Sequence, residues 1–291
     1  MSATKGRPRL GRRRPSKDDV CHQVVVVSDI HCGCRLGLMP LCGVALDDGG
    51  IYTPSSIQQK MWAMWREFWD IWVPDVTKGE PYDVVFNGDA MDGVHHGSVT
   101  QVSHNMEDQV RIAEACLGPV AQAARRYYHI RGTEAHVGQS AQYEEMLAKR
   151  LGAVPNAEGQ HARWELWLRV GGHLCHFLHH IGTTGSAAYE ATAVHKELTE
   201  SFVEAGRWGD EPPQVVVRSH RHRYIKDEIA GDRGYYVSIV TPAWQAKTPF
   251  TWKLPGARLS QPQFGGILIR KGDEELHTRA RVWRLERSRE G

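Results

Sequence analysis

A chain of 291 residues with 41% apolar and 24% charged residues has a globular composition, and can bury a large core as one α/β domain or two smaller ones. No apolar run approaches the ~20 residues that span a bilayer, so no membrane association is expected. The net charge of +2 is uneven: residues 1–17 hold Lys5, Arg7, Arg9, Arg12, Arg13, Arg14 and Lys17 and no acid, and setting those seven aside leaves −5 on the rest.

This divides the chain into a basic tail over 1–20, a body over 21–285 and a charged tail over 286–291. The basic tail lacks periodicity and reads as disordered, either a nucleic-acid-binding arm or a solvated tail. No apolar stretch follows Arg12-Arg13-Arg14, which rules out a twin-arginine signal. The six cysteines show no Cys-x-x-Cys spacing and need form no disulfide framework. Cys32, Cys34 and Cys42 are either soft-metal donors or, as read here, reduced thiols in a reducing compartment.

Val24 to Val27 read as a strand over 22–28, buried on both faces. It runs into Asp29-Ile30-His31, whose acid and imidazole are two apart and leave the strand end on the same side. Ligands bind at such ends of open α/β sheets. Residues 32–55, rich in Gly and Pro, read as a loop over that end. Met61, Trp65, Phe68 and Trp72 recur at helical spacing over 57–72. The stripe suits either base stacking or, the reading adopted, a core face, and Pro74 marks its stop. A strand over 82–87 leads to Gly88-Asp89-Ala90-Met91-Asp92-Gly93. A helix over 106–124 contains Pro119, expected to kink or divide it. A strand over 127–131 ends in Gly132-Thr133-Glu134-Ala135-His136, and a short helix covers 140–151. Strands over 164–170 and 173–179, joined by Gly171-Gly172, read as a hairpin ending in His179-His180. A helix of about twenty residues starts near Ser186. A strand over 214–218 ends in Ser219-His220-Arg221-His222. Strands over 234–240, 266–270 and 276–285 follow, with a long loop over 243–265 carrying Trp244, Lys247, Phe250, Trp252 and Lys253.

Four apolar runs thus end in acids or imidazoles, expected at one edge of the sheet. Burying such groups unpaired costs several kcal/mol, so a cluster of them needs a reason. Asp29-Ile30-His31, Gly88-Asp89, the histidine after the fourth run and His220-Arg221-His222 resemble the calcineurin-like metallophosphoesterases. The order in that family is Asp-x-His, Gly-Asp, Gly-Asn-His, His and Gly-His-x-His, and the match spans residues 22 to about 240. The resemblance implies a four-layer αββα sandwich of two mixed sheets flanked by helices. It also implies two divalent metal ions about 3.5 Å apart, bridged by a carboxylate and a solvent molecule. The donor mix suits Mn, Fe or Zn. Carried over residue by residue, Asp29, His31 and His222 hold the first metal, Asp89 bridges, and His179 and His220 hold the second. His180 is the alternative to His179.

The third motif departs from the family. Thr133 replaces its asparagine ligand and Glu134 its histidine. His136, two residues on, is then either general acid or replacement ligand, and Thr133 or Glu134 either completes the coordination or contacts substrate. Asp92 is expected to support the site. His95 and His96 face either substrate or solvent, and Arg221 points away from the metals. The reaction implied is metal-assisted hydrolysis of a phosphate ester, with Asp89 and His136 as catalytic residues. A phosphodiesterase is favoured, with a nuclease acting on DNA as its form. The alternatives are a phosphomonoesterase acting on a nucleotide or small molecule, and a non-catalytic scaffold of the same fold. Gly93 stands where protein phosphatases carry an arginine, which argues against that class. The expected partners are a phosphate-ester substrate and nucleic acid bound through the basic tail. The expected setting is the cytoplasm of a bacterium or of a phage host.

Overall fold

In the computed structural model the described residues are 20–95, 97–138, 141–182, 187–253, 260–286 and 290. Along the chain the elements are β1 (Gln23–Val27), the small hairpin β2 (Val44–Ala45) and β3 (Ile51–Tyr52), and α1 (Ser56–Glu67). A π-helical turn over Phe68–Trp72 continues α1 into α2 (Val73–Thr77). Then come β4 (Asp83–Asn87), α3 (Met106–Ala123), β5 (Tyr127–Ile130), α4 (Glu134–Val137), α5 (Gln142–Arg150) and β6 (Ala162–Arg163). The rest is β7 (Glu165–Val170), β8 (His173–Leu178), a 3₁₀ turn over Ala187–Tyr189, α6 (Glu190–Trp208), β9 (Val215–Arg218), β10 (Ile225–Gly231), β11 (Gly234–Val240), α7 (Pro249–Lys253), β12 (Phe264–Lys271) and β13 (Leu276–Trp283).

The strands form two mixed sheets, β13-β12-β1-β4-β5-β6 and β10-β11-β9-β8-β7. In the first, β1 runs parallel to β4 and antiparallel to β12. In the second, β9 is parallel to both β8 and β11. The sheets pack face to face: Val24, Val26, Val85 and Ile267 meet Phe177, Val215, Val217 and Ile239. The alternate residues Val25, Val27, Val84 and Phe86 face Met61, Trp65, Phe68, Ile112 and Leu117 of the helices. The valine run is continuous because both faces of β1 are covered, and each valine buried contributes roughly 1.5–3 kcal/mol. Leu198 of α6 covers Val216 and Tyr236 of the second sheet. The layers are therefore helix, sheet, sheet, helix, as the sandwich requires. Among the described residues no helix is long and apolar enough to cross a membrane.

Several expectations need correction. The site-bearing strands are divided between two facing sheets rather than set along one edge. The helix over 57–72 does not stop before Pro74. At the π turn the Val73 N–H reaches back five residues to the Phe68 carbonyl, and Pro74 falls in the first turn of α2, where a missing N–H is tolerated. The real stop is Lys78 and Gly79, both at positive φ. Pro119 does not divide α3, which is continuous to Ala123. Strand β10 was not anticipated, because its Lys226-Asp227-Glu228 stretch breaks any apolar run. The tryptophan stripe does pack into the core, with Trp65 edge-on to Trp244 at 4.9 Å. Trp244 is itself fully buried and so leaves the aromatic-basic loop. Residues 1–19 of the basic tail, Ser186, residues 254–259 of the long loop and most of 287–291 lie outside the described residues.

A chain of buried polar groups joins the sheets where their strands end. Asn87 Nδ2 donates to Ser219 Oγ at 2.6 Å and to the Leu178 carbonyl at 3.2 Å. Thr241 Oγ1 lies 2.7 Å from both Ser219 Oγ and Ser28 Oγ. These residues end or follow β1, β4, β8, β9 and β11. Thr241→Val removes the central hydroxyl of a closed buried chain, and is expected to lower the unfolding free energy by about 1–3 kcal/mol in urea denaturation. Unchanged stability would mean that the chain does not hold the sheets together.

Candidate metal centre

Each predicted ligand follows one of those strand ends. Asp29 and His31 leave β1, Asp89 leaves β4, His179 leaves β8, and His220 and His222 leave β9. The loops are zipped by backbone hydrogen bonds: Asp29 N–H to the Gly88 carbonyl (2.9 Å), His31 N–H to that of Asp89 (3.1 Å), and Ser219 N–H to that of His179 (2.9 Å). Among the described residues seven non-glycine residues have positive φ, and five of them are Asp29, His31, Asp89, His220 and His222. That conformation costs an L-residue ~1–2 kcal/mol, and such strain concentrates at functional sites.

Two donor clusters result, Asp29/His31/His222 and Asp89/His179/His220, and they are the two predicted ligand sets. In the first, His222 Nε2 lies 3.3 Å from Asp29 Oδ1 and 3.0 Å from His31 Nε2. In the second, Asp89 Oδ2 lies 3.0 Å from His179 Nε2 and 3.8 Å from His220 Nδ1. Asp89 Oδ2 is also 3.9 Å from His31 Nε2, so this carboxylate stands between the clusters. His179 rather than His180 enters the site: His179 is fully buried and shares a cluster with Asp89, whereas His180 belongs to none.

The donors fit divalent cations. His179 Nδ1 donates to the Asn87 carbonyl at 2.7 Å, which leaves the Nε2 lone pair facing a carboxylate oxygen. Two acceptors at that distance need a cation or a proton between them. Asp29 Oδ1 and His179 Nε2 have no hydrogen-bond partner among the described residues. Burial works against a charged His179, yet Asp89 and Asp29 outweigh it and raise its pKa to about 10, so the site draws positive charge inward. His31 behaves oppositely: burial first, then the charge of His136, lowers its pKa to about 4 and keeps the ring in the neutral form that ligates metals. Burial alone would raise Asp89, but His179 and His136 hold it well below the ordinary carboxylate range.

The third motif resolves as follows. His136 Nδ1 donates to the Asp92 carbonyl at 2.6 Å, which turns Nε2 inward to 3.8 Å from Asp89 Oδ2. His136 also joins His31 and Asp92 in a third donor group. Thr133 does not stand as a free donor, because its N–H and hydroxyl both bind Asp89 Oδ1, at 2.7 and 3.0 Å. Glu134 is exposed and belongs to none of the three groups, which leaves it outside the coordination. His95 lies 3.7 Å from Asp92 Oδ2, with its ring 4.6 Å from that of His136, so it lines the site. His96 lies outside the described residues. Arg221 reaches the Glu190 and Gly182 carbonyls, away from the ligands.

Three supporting residues went unpredicted. Gln101 and Gln245 donate to the two oxygens of Asp92, at 2.7 and 3.0 Å, and Asp92 Oδ1 stands 3.4 Å from His31 Nδ1. Glu144, fully buried in α5, accepts from the Gly132 and Ala90 N–H groups. The signal for Glu144 was present: an acid on the same helical face as Leu147 and Ala148. Gln101 and Gln245 sit in loops and carried no such signal. Gly132 is required by space, since a Cβ there would lie 2.0 Å from Asp89 Oδ1.

No family model matches the sequence, and no curated protein matches it. Solved structures with a similar fold include a double mutant of Vps29 from Entamoeba histolytica (11% identity, TM-score 0.39, covering 91% of this chain and 99% of that one). Others are a predicted phosphoesterase from Streptococcus pneumoniae (9%, 0.35, 91% and 98%) and Vacuolar Protein Sorting 29 from Cryptosporidium parvum (11%, 0.34, 92% and 100%). The likeness is distant, and the chemistry of the site stands on its own donors.

Carboxylates behind ligating histidines typically matter 10–100-fold. Asp92→Ala is therefore expected to weaken Mn²⁺ binding by about 10–100-fold in a chelator-competition titration. Unchanged affinity would remove Asp92 from the support of His31.

Proposed function

We propose that the chain is a hydrolase of phosphate esters that works with two divalent cations, prefers phosphodiesters, and has a nucleic acid strand, DNA in the first instance, as its substrate class. The observation that carries this is the pair of donor sets built on buried Asp29 and Asp89, with Asp89 Oδ2 of one set 3.9 Å from His31 Nε2 of the other. Asp29, His31 and His222 would hold one cation and Asp89, His179 and His220 the other, with manganese the first metal to test. Cations held there would polarise the phosphoryl oxygens and lower the pKa of a bound water towards neutrality. Two divalent charges would exceed the charge of Asp29, Asp89 and Asp92 together, so the loaded site would be cationic and attract a phosphate.

The chain's own residues do the positioning. Asp92, clamped by two glutamines, stands beside His31 Nδ1 at 3.4 Å, the Asn87 carbonyl holds His179, and Thr133 holds Asp89. His136 Nε2 is the atom that holds or releases a proton towards a leaving oxygen, and the Asp92 carbonyl fixes its tautomer.

The diester preference rests on the altered third motif and on the loop after Gln245. There Lys247 Nζ sits 3.6 Å from the Trp252 ring centroid, and Phe250 and Trp252 are exposed. Two residues earlier, Gln245 touches Asp92, which ties the loop to the site. Aromatic and basic groups so placed suit a strand. Residues 1–17 would add weak, salt-sensitive attraction. A monoesterase draws support from His136, whose inward Nε2 returns an imidazole to the leaving-group side.

With added Mn²⁺, turnover of bis-(p-nitrophenyl) phosphate is expected to exceed that of p-nitrophenyl phosphate. A strong monoester preference would refute the diester reading, and no turnover of either by metal-loaded protein would favour a scaffold. His136→Ala is expected to lower kcat about 10²–10⁴-fold with metal content retained. Loss of metal would instead make His136 a ligand, and no effect on either would exclude it from both roles.

A further inference from the structure

Strand β7 is a free edge of the second sheet, and its sequence is complementary to itself. The turn after it, Gly171-Gly172, has φ of +58° and +97°, and Val170 pairs with His173 directly across it. In such a two-residue hairpin the pair flanking the turn exchanges hydrogen bonds, so Val170, Leu168 and Leu166 spend their backbone groups on β8. The N–H and C=O groups of Glu165, Trp167 and Arg169 therefore point out along the edge. Among the described residues they find no backbone partner.

The side chains of those three residues share the outer face of the sheet, and all three are exposed. Trp167 is held rigid by stacking on His176 at 4.1 Å and 10°. Its indole is nevertheless about half exposed, as is that of Trp164. The opposite edge of the sheet, β10, carries Lys226, Asp227 and Glu228 in succession, which blunts it against pairing. Strand β7 has no proline, and its charges are spaced for attraction.

We propose that this edge pairs with β7 of a second copy of the chain, antiparallel across a two-fold axis at Trp167. In that register Trp167 meets Trp167, and Glu165 of each copy meets Arg169 of the other. Only residues with outward backbone groups then face each other, and they exchange about six backbone hydrogen bonds. Arg169 reaches Glu211 at 2.6 Å and Glu165 reaches His176 at 3.1 Å within one chain, so both charges are already held beside the edge. The two five-stranded sheets become one continuous sheet, and the interface is isologous.

Sedimentation equilibrium of the full chain at micromolar concentration tests this. A dimer is expected. Arg169→Glu places like charges opposite each other twice and is expected to weaken the dimer at least about tenfold. The double variant Glu165→Arg/Arg169→Glu restores two opposite-charge pairs and is expected to restore the dimer. If circular dichroism shows that Arg169→Glu perturbs the fold, Glu165→Arg alone, which sets Arg against Arg twice, is read in its place. A monomeric wild type overturns the proposal, as does a single variant that dimerises as tightly, or a double variant that stays monomeric.

Discussion

Buried acceptors that face one another are the constraint on which this structure depends. Asp29, Asp89 and His179 are wholly out of water, and their lone pairs converge on His31, His220 and His222. Left alone, such an arrangement repels itself and costs several kcal/mol in desolvation. A positive charge between the donors reverses the sign. The pKa of His179 expresses the same pull: two buried carboxylates hold a proton on the ring well past neutrality, at the place where a metal would serve them better.

The fold supplies what this convergence demands. Parallel strands end at one level, so β1 and β4 deliver Asp29 and Asp89 side by side, and β8 and β9 deliver His179 and His220 opposite them. Five of the six ligands have left-handed backbone where the chain leaves the strand ends. Backbone zips between the loops and the Asn87–Ser219–Thr241–Ser28 chain hold that strained arrangement in place. The site thus sits at the ends of buried strands, while Phe250 and Trp252, after Gln245, lie exposed.

The legible part of the sequence was the part with short-range signals. Four consecutive valines read as a strand buried on both faces, and the Asp-x-His at its end gained meaning only beside the donors that end other runs. Pattern alone could not show that the strand ends belong to two sheets, because pairing partners lie far apart in sequence; Asn87 and Ser219 are 132 residues apart. The continuity of α1 into α2 was hidden because a π turn shifts the hydrogen-bond ladder ahead of Pro74. Residue type does not show that the Thr133 hydroxyl donates to Asp89, a bond made across 44 residues of sequence. The glutamine clamp on Asp92 comes from two loops that no periodicity marks.

Anomalous diffraction from crystals grown with Mn²⁺ tests the central claim most directly. The account predicts two peaks, one bounded by Asp29, His31 and His222 and the other by Asp89, His179 and His220, with the Asp89 carboxylate touching both. Crystals with manganese in the solvent and no peak between the two sheets would contradict it.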